Sequence, residues 1–101
     1  MNYTTVQIII LINNSLNINK KREITSEIRN FIEEISKKIE IKYKNFKKLA
    51  YKINNYETAY FVAMQIQIKK IGVNKKIRQI EEKLNTYEEI IEFKIIEKNK
   101  I

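Results

Sequence analysis

Apolar residues along this chain switch between two spacings, and the switches predict six elements. Residues 3–12 are β-branched and apolar on both faces, the pattern of a central strand covered on at least one side. The polar run Asn13-Asn14-Ser15-Leu16-Asn17 ends that strand. Ile24, Ile28, Phe31, Ile32, Ile35 and Ile39 then recur every three or four residues. That spacing draws one apolar stripe on a helix over residues 20–38. Glu23 and Glu27 stand early in it and Lys37 and Lys38 late, an arrangement that would complement the helix dipole.

From Ile39 the spacing becomes two. Ile39, Ile41 and Tyr43 alternate with Glu40, Lys42 and Lys44, and then Leu49, Tyr51 and Ile53 with Ala50 and Lys52. Asn45-Phe46 breaks the alternation, which predicts a bulge or bend there. Asn54-Asn55 reads as a turn. A third strand follows over residues 60–68, with Tyr60, Val62, Met64, Ile66 and Ile68 on one face and Phe61, Ala63, Gln65 and Gln67 on the other. After Gly72, the residues Val73, Ile77, Ile80 and Leu84 outline a second helix over 73–85. Ile91, Phe93 and Ile95 alternate with Glu92 and Lys94 in a last strand over 91–95.

The resulting order, βαββαβ, predicts an α+β domain spanning residues 1–101. It is the ferredoxin-like split β-α-β arrangement, a four-stranded antiparallel sheet with two helices on one face. The other face is left open. By alternation it would carry Lys42, Lys44, Lys52, Gln65, Gln67, Glu92 and Lys94, with Phe61 among them. Tyr60 falls on the core face, and so does Tyr51, which shares its strand face with Leu49 and Ile53.

Composition narrows the chemistry. There is no Cys, His, Pro or Asp and a single Gly in 101 residues. Disulfides are excluded, and zinc sites of thiolate or imidazole have no ligands. The usual neutral-pH acid–base residue and the readiest nucleophile are both missing. One glycine cannot build a phosphate-cradling loop, and no catalytic motif is present. Glu33 and Glu34, or Glu81 and Glu82, are adjacent on helices and point apart, so they make no paired acid and base. The expectation is a non-enzyme without metal or cofactor.

The formal charge of +8 favours a polyanionic partner, nucleic acid first and an anionic membrane second. The longest apolar run is far too short to span a bilayer and has no charged lead-in of a signal peptide. The chain reads as a soluble protein made where it works. About half of its residues are Ile, Asn or Lys, all with A/U-rich codons, the mark of an A+T-rich genome in a bacterium or an organelle. Some of the lysines therefore reflect base composition rather than a partner.

The segment Lys47-Lys48-Leu49-Ala50-Tyr51-Lys52-Ile53 resembles the basic-basic-Leu-Ala-Tyr-Pro-Ile signature of the small-subunit ribosomal protein six family. Ala59-Tyr60-Phe61 is similar to that family's small-aromatic-aromatic start of the third strand, and Leu84, Ile90 and Ile91 match apolar positions around its last strand. Lys52 replaces the family's proline, Asn45 a common glycine, and Glu92 a frequent arginine. The resemblance implies a structural role on the ribosome, of a bacterium or an organelle. The implied partners are small-subunit ribosomal RNA at a platform junction and ribosomal protein eighteen, with no membrane and no small-molecule substrate.

Candidate RNA- or partner-binding residues are Lys42, Lys44, Lys47, Lys48, Lys52, Asn54, Phe61 and Lys94. The lysines would neutralise phosphates and position RNA without reading its sequence. The glycine-rich basic-aromatic signature of the RNA-recognition motif, which shares this topology, is absent. A ferredoxin-like domain that binds a small regulatory molecule is the alternative, though such modules tend to carry Gly or Asp at their ligand loops. An acylphosphatase-type enzyme would need an anion-binding Arg where this chain has Asn13-Asn14-Ser15.

Overall fold

The computed structural model describes residues 2–53 and 55–98, apart from the side chains of Tyr43, Phe46, Lys47 and Ala50. Its elements are β1 (Tyr3–Asn13), α1 (Ile18–Ile35), β2 (Lys38–Ile53), β3 (Tyr56–Lys69), α2 (Val73–Leu84) and β4 (Ile90–Glu97). The architecture is α+β, two helices with an antiparallel sheet of strand order β2-β3-β1-β4. β1 is central, as its apolar faces predict. β2 and β4 are the edges.

The core lies between the sheet and the helices. Val6, Ile8, Ile10 and Ile12 of β1 alternate inward beside Tyr60, Val62, Met64, Ile66 and Ile68 of β3. Ile24, Ile28 and Ile32 of α1 and Ile80 and Leu84 of α2 close over them. Each such side chain removed from water contributes about 1.5–3 kcal/mol.

α1 starts at Ile18 because the Asn17 side chain accepts a hydrogen bond from the Lys20 amide at 2.8 Å. It ends at Ile35, three residues earlier than its stripe predicts, with Ser36 extended. Lys37 and Lys38 are therefore not helical. The Lys37 amide donates to the Gln67 carbonyl at 2.8 Å, and Lys38 opens β2 opposite Gln67. Strand pairing thus captures both lysines. The expected dipole match fails with them, since the first turn of α1 has no acidic residue and the last no basic one.

Two irregularities in β2 set which side chains face where. Ile41 pairs with Met64 and Tyr43 with Ala63, so Lys42 is an inserted residue. The bulge sits here and not at Asn45-Phe46, which pair regularly with Phe61 and Tyr60. Ile39 and Ile41 keep their helix-side places opposite Ile66 and Met64, and the extra residue is a charged one that meets Glu40 outside the ladder. Beyond it the alternation is reversed. A second shift lies between the Lys48↔Thr58 and Ile53↔Tyr56 pairs, freeing residues 49–52 of the signature segment from regular pairing. A third, between Leu11 and Ile12, sets Ile90 opposite Ile12 and Glu92 opposite Leu11, with Ile91 between. Ile90, Phe93 and Ile95 consequently pack on the core, whereas Ile91 does not join it.

Candidate functional site

The sheet face away from the helices is less polar than alternation predicts. Ile9 and Leu11 from β1 and Phe61 and Ala63 from β3 form an apolar strip along its centre. Glu92 and Lys94 of β4 flank the strip opposite Leu11 and Ile9. Over its β2 end comes the irregular signature segment. Together these residues line a groove of about 300 Å³, in which Lys48, Leu49, Tyr51 and Ile53 meet Ile9, Leu11, Phe61, Glu92, Phe93 and Lys94.

This placement corrects the assignment of Tyr51, with Leu49 and Ile53, to the core. Tyr51 is 81% exposed and stands at the groove. Four β2 residues, 49–52, lie between the pairs at Lys48 and Ile53, but only Glu57 lies between their partners on β3. The excess chain loops away from the ladder, and regular alternation no longer decides which way its side chains point. Tyr60, by contrast, is buried, and the Lys21 ammonium lies 5.2 Å from its ring centroid. Burial pushes the Tyr60 hydroxyl pKa above its ordinary value, against the opposing charge of Arg22.

The candidate residues whose side chains the structure describes divide into three sets. Lys48, Phe61 and Lys94 come together at the groove. Lys42 and Lys52 are held by carboxylates, Lys42 Nζ at 3.1 Å from Glu40 and Lys52 Nζ at 3.6 Å from Glu57. Lys44 is a correction: it does not lie on the open face. The Lys42 bulge turns it to the helix side, opposite Val62, where it lines a separate cleft with Arg22 and Arg29 of α1. Asn54 and the side chain of Lys47 lie outside the described residues.

Sequence reasoning missed Leu49, Tyr51, Ile9 and Leu11 as groove residues, and Arg22 and Arg29 as the walls of a basic cleft. The apolar character of β1 on both faces was the available signal for Ile9 and Leu11. Arg22, Ser26 and Arg29 are spaced four and three apart, which is one face of a helix. Nothing in the sequence sets that face beside Lys44.

Among the described residues there is no cluster of acidic ligands that could hold a metal ion. Nor is any helix among them long and apolar enough to cross a membrane.

No family model and no curated protein sequence matches the chain. Among solved structures, the 30S ribosomal protein S6 from Thermotoga maritima superposes with a TM-score of 0.79 at 14% identity, over 94% of this chain and 87% of that one. A de novo designed protein, Foldit4, superposes with a TM-score of 0.62 at 15% identity, over 98% of this chain and 99% of that one. At such identities the likeness concerns the fold. A designed protein on the same fold underlines that the arrangement of elements does not by itself carry a function.

Proposed function

We propose that this chain is a structural protein of the small ribosomal subunit, which binds small-subunit ribosomal RNA together with ribosomal protein eighteen and turns over no substrate. The observation that carries the reading is the groove on the open sheet face. There the Lys48-Leu49-Tyr51-Ile53 part of the signature segment converges with Phe61 and Lys94, on the fold of the Thermotoga ribosomal protein.

The groove has the make-up of a macromolecular docking surface. Its floor is apolar, an exposed tyrosine stands at its wall, and lysines lie among its lining residues. Aromatic anchors in a water-excluding patch concentrate the energy of protein association, whereas lysines attract phosphates at a distance and gain from counterion release. The apolar part suits the protein partner and the basic surroundings suit RNA. The ribosome, in a bacterium or an organelle, is the corresponding location.

The test is binding to a fluorescent RNA covering a small-subunit platform junction, with and without ribosomal protein eighteen, across a salt series. The expected result is an affinity that falls steeply with salt and rises when the partner is added. Salt-insensitive binding, or no gain from the partner, would overturn the proposal.

A further inference from the structure

On the side of the sheet opposite the groove, α1 and the edge strand β2 enclose a cleft of about 450 Å³. It is lined by Arg22, Thr25, Ser26, Arg29, Ile39, Ile41 and Lys44. Three cations face this space and no carboxylate lines it. We propose that the cleft is a phosphate-binding site for the backbone of a single RNA strand, with Arg22, Arg29 and Lys44 as the charged contacts and the Ser26 hydroxyl as a neutral donor. This inference rests on the RNA-binding reading above and adds a second contact surface to it.

The arrangement is specified from two directions. On α1, positions 22, 26 and 29 lie on one face, so the two guanidinium groups are set about two turns apart with the serine between them. On β2, the inserted Lys42 reverses the alternation and delivers Lys44 to the same side. Ile39 and Ile41, partly buried against the core, lie along the same space. The Thr25 hydroxyl is already committed, donating to the Lys21 carbonyl at 2.8 Å. Ser26 is exposed and makes no such bond among the described residues.

The carboxylates closest in sequence are engaged elsewhere. Glu23 lies 3.8 Å from Lys20 Nζ, Glu27 accepts a hydrogen bond from the Tyr87 hydroxyl, and Glu40 holds Lys42. Glu33, one turn beyond Arg29, neither lines the cleft nor forms an ion pair among the described residues. Surface cations are commonly balanced by neighbouring carboxylates. Here three are left unbalanced together, which raises the local potential for an anion. Arginine pairs bidentately with phosphate oxygens, so two arginines favour phosphate over a diffuse counterion cloud. A water molecule occupies about 30 Å³ of liquid. The cleft therefore takes a hydrated phosphodiester rather than one buried ion. It also lies along the edge strand β2, where an RNA strand can pass without displacing a neighbouring strand.

The experiment compares wild type with the triple variant R22Q/R29Q/K44Q, all three positions being exposed, and with K48Q/K94Q as a groove control. Circular dichroism establishes that each is folded. Affinity for a fluorescent oligouridylate RNA is measured over a salt series, and the Arg22 and Arg29 Nε–H signals of wild type are followed by NMR during the same titration. The expected result is movement of both arginine signals. The triple variant's salt slope is expected to flatten by about 2, at roughly 0.7 per lost single-strand phosphate contact. An unchanged slope in that variant, with wild type still binding RNA, overturns the cleft and leaves the functional reading standing. Wild type that binds no RNA, junction or oligouridylate, overturns both. Loss of binding to phosphatidylserine vesicles in the triple variant, with RNA binding unaffected, also overturns it.

Discussion

The ammonium of Lys42 lies 3.1 Å from a carboxylate oxygen of Glu40, two residues back along the same edge strand. Lys42 is the residue inserted by the bulge, so its backbone is out of the ladder while its side chain is spent on a neighbour. An exposed pair of this kind contributes about 0.2–1 kcal/mol, and RNA phosphates can compete for the lysine only by displacing the glutamate. Glu40→Gln is accordingly expected to tighten RNA binding, by up to about fivefold at low salt. Anisotropy titrations of the variant against wild type check it, and unchanged affinity would place Lys42 away from the RNA.

Tyr51 separates docking from folding. Because it is 81% exposed, Tyr51→Ala is expected to change unfolding free energy by no more than about 0.5 kcal/mol. In a groove that holds a protein partner, the same change is expected to weaken the partner-dependent gain in RNA affinity at least tenfold, the scale of about 1.4 kcal/mol for an aromatic anchor. Urea denaturation and the two-protein binding assay read the two effects separately.

Met64 makes the opposite case. It is fully buried, opposite Ile8 in β1 and Ile41 in β2. Met64→Ala is expected to cost about 2–5 kcal/mol, from lost transfer energy and the cavity left behind. Urea titration monitored by circular dichroism measures it.

Tyr87 ties the connection after α2 back to α1, its hydroxyl donating to Glu27 Oε1 at 2.8 Å across 60 residues of sequence. Burial and then the Glu27 carboxylate push the hydroxyl pKa well above the ordinary tyrosine value of 10.0. The folded state therefore keeps a proton that the unfolded chain gives up above about pH 10. Stability from this group is complete below that pH and falls as pH rises beyond it. Tyr87→Phe is expected to lose about 0.5–1.5 kcal/mol at pH 7 and to flatten the decline between pH 10 and 11.5. Urea titrations across that range test it, with Tyr60 adding a slope of the same sign.

Gly72 precedes α2 at φ 78°, and a methyl group added there meets nothing within 4 Å. The cost of Gly72→Ala is thus backbone strain alone, expected at about 1–2 kcal/mol. Thermal unfolding checks the size. A smaller effect for Gly72→Asn than for Gly72→Ala would identify backbone conformation as the cause.

Much of the fold was legible in the chain because it depends on short-range periodicity. The stripe through Ile24, Ile28 and Ile32 and the alternation from Tyr60 to Ile68 each record a burial pattern that one element imposes on its own residues. Less of the site was legible. Lys48, Phe61 and Lys94 do gather at one groove, and all three were reachable, Lys48 by motif and Phe61 and Lys94 by alternation. Lys44 was misplaced because one inserted residue reverses every later position on a strand. Tyr51 was misplaced because alternation has no meaning where the ladder is interrupted.

The chain's own pattern determined the six elements, their order and, where strand pairing is regular, the residues that must leave water. These follow from spacing, and spacing is a property of the sequence. Only the folded sheet decided the registers, the bulge at Lys42 and the overhang of residues 49–52, since pairing is a bargain between strands far apart in the chain. From those registers came the division of the lysines, some paired with glutamates, some at the apolar groove and one beside Arg22 and Arg29. A charge acts through its distance from other charges, and that distance exists only in three dimensions.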